Sequence, residues 1–410
     1  MTTPPQAPDR SPPAYLSLGF RPFFLLGALF AAVMIALWVP WFLGFIEVPS
    51  AFPPVAWHSH ELLFGFMIAV ITGFLLTAVP NWTGRRPIAG WPLAGLVILW
   101  LVGRIAIAFS THADALSIAA LSVAFPIAVA AVIGREIILA DNWRNLKILI
   151  VLIGFVATDL LFHYEIWQFG RPRYAQLVAV ALALLLVIIV AGRIIPTFTV
   201  NWLKQNRPGT PLPPAFNHID LAAVVLSGAA LICWAGISFL DTASWGRSLN
   251  AVLMLLAAGA NFLRQARWQP HRTVAEPLLA ILHVAFGFVG LGFLLGGLGA
   301  LWNDFDFTTA GLHAWTTGAI GTMMIGVMTR VSRGHTGRPL TAPAGTVILY
   351  ALSLIAAGAR IAAALQPQAT LTLLPLSALA WIGAFGGFVI LYGRILVSPR
   401  LPHTATSKQQ

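Results

Sequence analysis

Histidines stand at the ends of apolar runs in this 410-residue chain. His58 and His60 open one run, in Trp57-His58-Ser59-His60-Glu61. His163 closes a second, His313 opens a third, and His283 lies inside a fourth. Ionisable groups at membrane depth are costly, so each is a functional candidate by default. Neutral imidazole is also a common ligand for iron, copper and zinc, so His58, His60, His163, His283 and His313 form a candidate metal set. Asp159 precedes His163 by four residues, which places both on one helix face. A carboxylate there can orient an imidazole through its second nitrogen or carry protons, and Glu61 beside His60 is placed for the same work.

Two residues advance about 200° around a helix, so His58 and His60 cannot share a face. If both hold a metal, one belongs to a non-helical turn before the span. Otherwise they serve different partners. The plain alternatives are an interfacial role for His58 and His60 and a satisfied core position for His283. His112, His218, His271 and His403 read as loop or tail residues. Met323, Met324 and Met328 read as packing rather than as copper ligands. Cys233 is the single cysteine, so any metal must rely on histidine, carboxylate or methionine.

A shift of 253 positions lays part of the chain on itself without a gap. His60 falls on His313, Gly65 on Gly318, Gly73 on Gly326, and Thr83-Gly84-Arg85 on Thr336-Gly337-Arg338. Each copy reads as a histidine at the start of a span and a Thr-Gly-Arg loop after its end. Arg104 and Arg360, near the ends of the spans that follow, are equivalents at an offset of 256. Two equivalent histidines at one depth suit a haem held between them, with the arginines serving its propionates. Snorkelling at the interface is the alternative for both arginines.

The elements that position these residues are membrane helices. The chain is 58% hydrophobic and 9% charged, against about 25% charged in soluble domains. Apolar runs of about 20 residues recur, each enough to cross a bilayer. Twelve spans are predicted, at 22–46, 60–80, 91–110, 114–133, 147–167, 175–196, 219–240, 247–264, 277–300, 311–329, 343–365 and 371–396. The expected fold is therefore all-α and polytopic, with a repeat relating helices 2–3 to helices 10–11. A single transmembrane domain covers 22–397, between a disordered tail over 1–21 and a second tail over 398–410. The segment 197–218, rich in proline and asparagine, reads as a loop. The first span lacks a cleavage site and is expected to remain as an anchor.

With the N-terminus inside, 19 of the 24 basic residues fall in inner segments. The positive-inside rule then places both termini in the cytoplasm and His58, His60, His163 and His313 on the outer side. The net charge of +11 is explained by topology and anionic headgroups, without nucleic acid.

Several stretches resemble the NnrS family. They are Leu18-Gly19-Phe20-Arg21-Pro22-Phe23-Phe24, Trp57 through Gly65, Thr77-Ala78-Val79-Pro80-Asn81-Trp82-Thr83-Gly84 and Gly192-Arg193-Ile194-Ile195-Pro196-Thr197-Phe198. His313 through Ser332 and Gly334-His335-Thr336-Gly337-Arg338-Pro339-Leu340 belong with them. The ninth span departs from the pattern at His283-Val284-Ala285-Phe286. The resemblance implies a twelve-span bacterial inner-membrane protein that binds haem b and copper and is linked to nitric oxide metabolism, denitrification and nitrosative stress resistance. On that reading nitric oxide or a nitrosyl species is the partner molecule, with an electron donor of unknown identity.

The ligand roles rest on depth and repeat geometry. His60 and His313 are the expected haem pair, with His58, His163 and His283 holding copper or lining the pocket. A twelve-helix secondary transporter with a midplane site including Asp159 and His283 is the alternative from another class. A membrane sensor or metal-handling protein without turnover is a third.

Overall fold

The computed structural model describes residues 12–240 and 244–402. Among them every regular element is helical. Twelve long helices follow in order. They are α1 Phe20–Phe42, α2 Pro54–Thr83, α3 Trp91–Ala108, α4 Ala115–Ile138, α5 Leu146–Phe169 and α6 Ala175–Asn206. Then come α7 His218–Leu240, α8 Ser244–Arg267, α9 Pro277–Trp302, α10 over 305–335, α11 Ala344–Leu365 and α12 Thr370–Val397. Eleven are long and apolar enough to cross a membrane. The exception is α10, whose threonines, glycines and His313 dilute its apolar character.

Two helices are not uniform. In α2, α-helical Pro54–His60 passes into a π-helical stretch, Glu61–Met67, before Ile68–Thr83 resumes the α form. In α10, α-helical Phe305–His313 passes into a π stretch, Ala314–Gly321, before Thr322–His335. Both π stretches start directly after a histidine, and Glu61 and Ala314 are 253 residues apart. The sequence offset is thus matched by a shared departure from α geometry. Short π stretches recur at functional sites.

The Thr-Gly-Arg loops have a local cause. Gly84 and Gly337 take φ of +70° and +76°, the left-handed conformation that closes a helix end. An L side chain there costs about 1–2 kcal/mol, which is why both copies carry glycine.

Predicted boundaries move at three places. α2 starts at Pro54 rather than 60, because proline at the first turn needs no hydrogen-bond partner. α6 runs on through Pro196 to Asn206, so the expected loop over 197–218 shrinks to the stretch before His218. Thr197 and Thr199 hydroxyls donate to the carbonyls of Arg193 and Ile195 at 2.8 and 2.9 Å, helping the helix past the proline. Residues 14–21 fold rather than trailing. Ala14–Leu16 is a short 3-10 turn, Leu16 is buried, and its carbonyl accepts from the Gly90 amide. The rest of the predicted tails, including His403, lies outside the described residues.

Of the eleven apolar spans, α2 and α9 are the most enclosed. α1 packs on α2 and α12, α9 packs on α8 and α10, and α10 packs on α11. Arg21, buried at the start of α1, donates to the carbonyls of Leu396 and Ser398 at 2.8 and 2.6 Å. The first and last helices therefore meet at one end of the bundle, as an even number of crossings requires.

Candidate metal centre

Two helices bring a histidine, a carboxylate and a second histidine together at the opposite end. His60 comes from the second turn of α2, and Asp159 and His163 from the last turns of α5. His60 Nε2 lies 3.0 Å from Asp159 Oδ1, and His163 Nε2 lies 3.6 Å from the same oxygen. One ligand atom from each residue falls within 4.8 Å of the other two, and all three residues are buried. The i,i+4 spacing of Asp159 and His163 therefore does place them on one face. His163 Nε2 has no hydrogen-bond partner although it is buried. A buried ring nitrogen without a partner needs an explanation, and a cation between it and Asp159 supplies one.

A second layer holds this group. His60 Nδ1 meets Glu61 Oε1 at 2.8 Å, and Arg104 from α3 donates to the same Glu61 oxygen. The other guanidinium nitrogen reaches Ser122 on α4 at 3.5 Å, and the Ser122 hydroxyl donates to Asp159 Oδ2 at 3.3 Å. Glu61 thus fixes the imidazole from behind, as carboxylates do for metal-bound histidine. Asp159 instead turns one oxygen toward both Nε2 atoms. Arg104 pairs with one of the two carboxylates and leaves Asp159 to the two imidazoles.

Aromatic rings close the group off. Phe52, Phe64 and Phe162 lie 5.2, 5.1 and 5.1 Å from the His60 ring, and Phe52 lies 5.4 Å from the His163 ring. Phe52 belongs to the stretch before α2, which is tied down where the Ala51 amide donates to Ser110 and the Ser50 hydroxyl donates to the Ile107 carbonyl. Ser122 and Phe52 were not singled out in the sequence. A hydroxyl in an apolar span marks Ser122 only weakly, and nothing in sequence marks Phe52.

The remaining expected site residues divide. His58 is helical like His60, so no non-helical turn separates them, and the pair serves different partners. His58 stacks on Trp38 of α1, with centroids 3.9 Å apart and planes inclined by 20°. His313 has His58 and Arg360 as its electrostatic neighbours. His60 and His313, expected as a pair, thus sit in two groups, and both His60 nitrogens already face carboxylates. His283 stands apart, with Nε2 3.0 Å from the Thr199 hydroxyl and its carbonyl accepting from Gln265. Met323 and Met324 line an apolar cavity of about 90 Å³ with Met67, between α2, α6 and α10. Met328 is fully buried.

The fold and this group define a polytopic helical membrane protein with a buried His–Asp–His set at one end. The chain belongs to the NnrS family, described as NnrS protein, which matches residues 14–400. Membership makes it a nitric-oxide-related membrane protein whose family is linked to metal cofactors. Among curated proteins none matches the chain.

Proposed function

We propose that this protein binds copper through His60, Asp159 and His163 at the periplasmic side of the bacterial inner membrane, and acts there on nitric oxide or a nitrosyl species. The observation that carries the reading is the convergence of two buried imidazole nitrogens on one Asp159 oxygen, at 3.0 and 3.6 Å. Imidazole and carboxylate together suit first-row metals, and the set contains no sulfur donor. When bound, a first-row ion supplies an open coordination position for a small diatomic ligand. Asp159 and the two imidazoles would hold the ion. Glu61 keeps His60 in one orientation, and Arg104 donates to Glu61 and holds it in place. The phenylalanine rings exclude water while admitting an apolar gas that partitions into the bilayer.

Haem b, which the family resemblance also implies, does not fit the pair first expected to hold it. His60 has no nitrogen turned away from a carboxylate.

Metal analysis of the detergent-purified chain tests the reading. The unmodified protein should carry about one copper per chain, with histidine–carboxylate sites of this kind retaining metal through purification. His60→Asn and Asp159→Asn should each lose it, and His283→Asn should keep it. Full copper in both of the first two variants would overturn the assignment.

A further inference from the structure

Among the described residues, the second histidine group has charge but no counter-charge. Arg360 is half-buried near the end of α11, and no described residue gives its guanidinium a hydrogen bond or an ion pair. It is the electrostatic neighbour of both His58 and His313, and no carboxylate is among the neighbours of either imidazole. Its repeat equivalent, Arg104, is paired with Glu61. The residue that occupies the place of Glu61 in the second copy is Ala314. One copy therefore carries its own anion and the other does not.

Orphaned donors surround the same place. His58 Nδ1 is buried and unpartnered. The indole N–H of Trp38, whose ring stacks on His58, is buried and unpartnered as well. Buried polar groups are nearly always satisfied, so two orphans on stacked rings point to a missing partner. A guanidinium at membrane depth without a counter-ion is costly, and its planar fork matches two coplanar oxygens.

We propose that Arg360, His58 and His313, with Trp38 stacked on His58, form a subsite for a planar oxyanion of the nitrite or carboxylate type. The ligand is singly charged and carries two coplanar oxygens for the guanidinium fork. Such an anion arises in two ways: as a free nitrogen oxyanion, or as the carboxylate of a larger bound group. The inference uses residues outside the His60–Asp159–His163 set and does not depend on copper occupying it.

The test is calorimetric titration of the full-length detergent-purified chain with sodium nitrite and, separately, sodium acetate, with copper and haem content read on the same samples. Nitrite should bind saturably and raise the melting temperature. Arg360→Gln should weaken it by about tenfold or more, the loss expected for a charge-assisted bidentate pair. Arg360→Lys, which keeps the charge but not the fork, should fall between. Arg247→Gln, at an exposed arginine bonded to Asn303, should bind within about twofold of the parent, as for a remote surface charge. Nitrite binding by the protein as purified identifies a free oxyanion. If the chain carries haem, loses it in Arg360→Gln, and binds nitrite only when haem-free, the subsite is held by a carboxylate of that group. If neither anion binds and both Arg360 variants keep the parent's melting temperature and haem content, the subsite does not exist. Copper loss in His60→Asn reports on the other centre, so the two readings fail independently.

Discussion

At the scale of single residues, the centre is a division of labour between two carboxylates that look alike in sequence. Asp159 faces the two Nε2 atoms, whereas Glu61 faces the back of one imidazole and is held by Arg104. Removing a ligand and removing its support should therefore differ in degree. Glu61→Gln keeps the shape and a hydrogen-bond acceptor but loses the charge. It should lower copper affinity by about 10- to 100-fold, the usual cost of an outer carboxylate, while Asp159→Asn abolishes retention. Competition against a chelator of known affinity separates the two, and equal losses would contradict this ordering. The Asp159–His163 spacing was legible because i,i+4 is a property of any helix. The His60–Asp159 contact was not, because nothing in sequence says that α2 and α5 meet at that height. The pairing of His60 with His313 assumed that equivalent residues in a repeat face one another. In the folded chain the neighbour of His313 is His58, two positions off the equivalence.

Elements explain why neighbours in sequence can cooperate at all. In an α-helix adjacent side chains diverge by about 100°, yet His60 and Glu61 touch at 2.8 Å. The π stretch that begins at Glu61 turns less per residue and brings them together. Its packing leaves room only for glycine at position 65. A Cβ there would lie 2.7 Å from Phe30 Cε1 and 3.1 Å from Arg104 Nη1. The equivalent Gly318 is similarly tight, with a Cβ 2.6 Å from Phe288 Cδ1. Gly65→Ala should therefore cost about 1–3 kcal/mol as overpacking against a ring. It should also push Arg104 from Glu61 and weaken copper retention. Gly95→Ala in α3, where a Cβ meets nothing within 4 Å, is the control. Thermal melts of the two variants decide the matter, and a parent-like melt for Gly65→Ala would show that the stretch relaxes freely. The spans themselves were readable from apolar length. The π stretches were hidden, because α and π turns draw on the same apolar residues and differ only in hydrogen-bond register.

For the whole molecule, the function depends on which way the bundle lies in the membrane. The histidines of α2, α5 and α10 share one end, and the start of α1 and the close of α12 meet at the other. Most arginines and lysines of the connections lie at that second end, among them Arg85, Arg144, Arg207, Arg272 and Arg338. By the positive-inside rule that end is expected to face the cytoplasm, which on the proposed reading turns the metal centre to the periplasm. Cys233 is the single cysteine, so Cys233→Ser gives a silent background for thiol mapping. Ala113→Cys stands in the exposed turn between α3 and α4 at the histidine end, and Pro208→Cys in the exposed connection between α6 and α7 at the other. An impermeant maleimide applied to intact spheroplasts should label the first and spare the second until the cells are broken. The reverse pattern would turn the molecule over. It would leave the His60–Asp159–His163 geometry intact but open that end to the cytoplasm, where copper would have to be supplied from a different compartment.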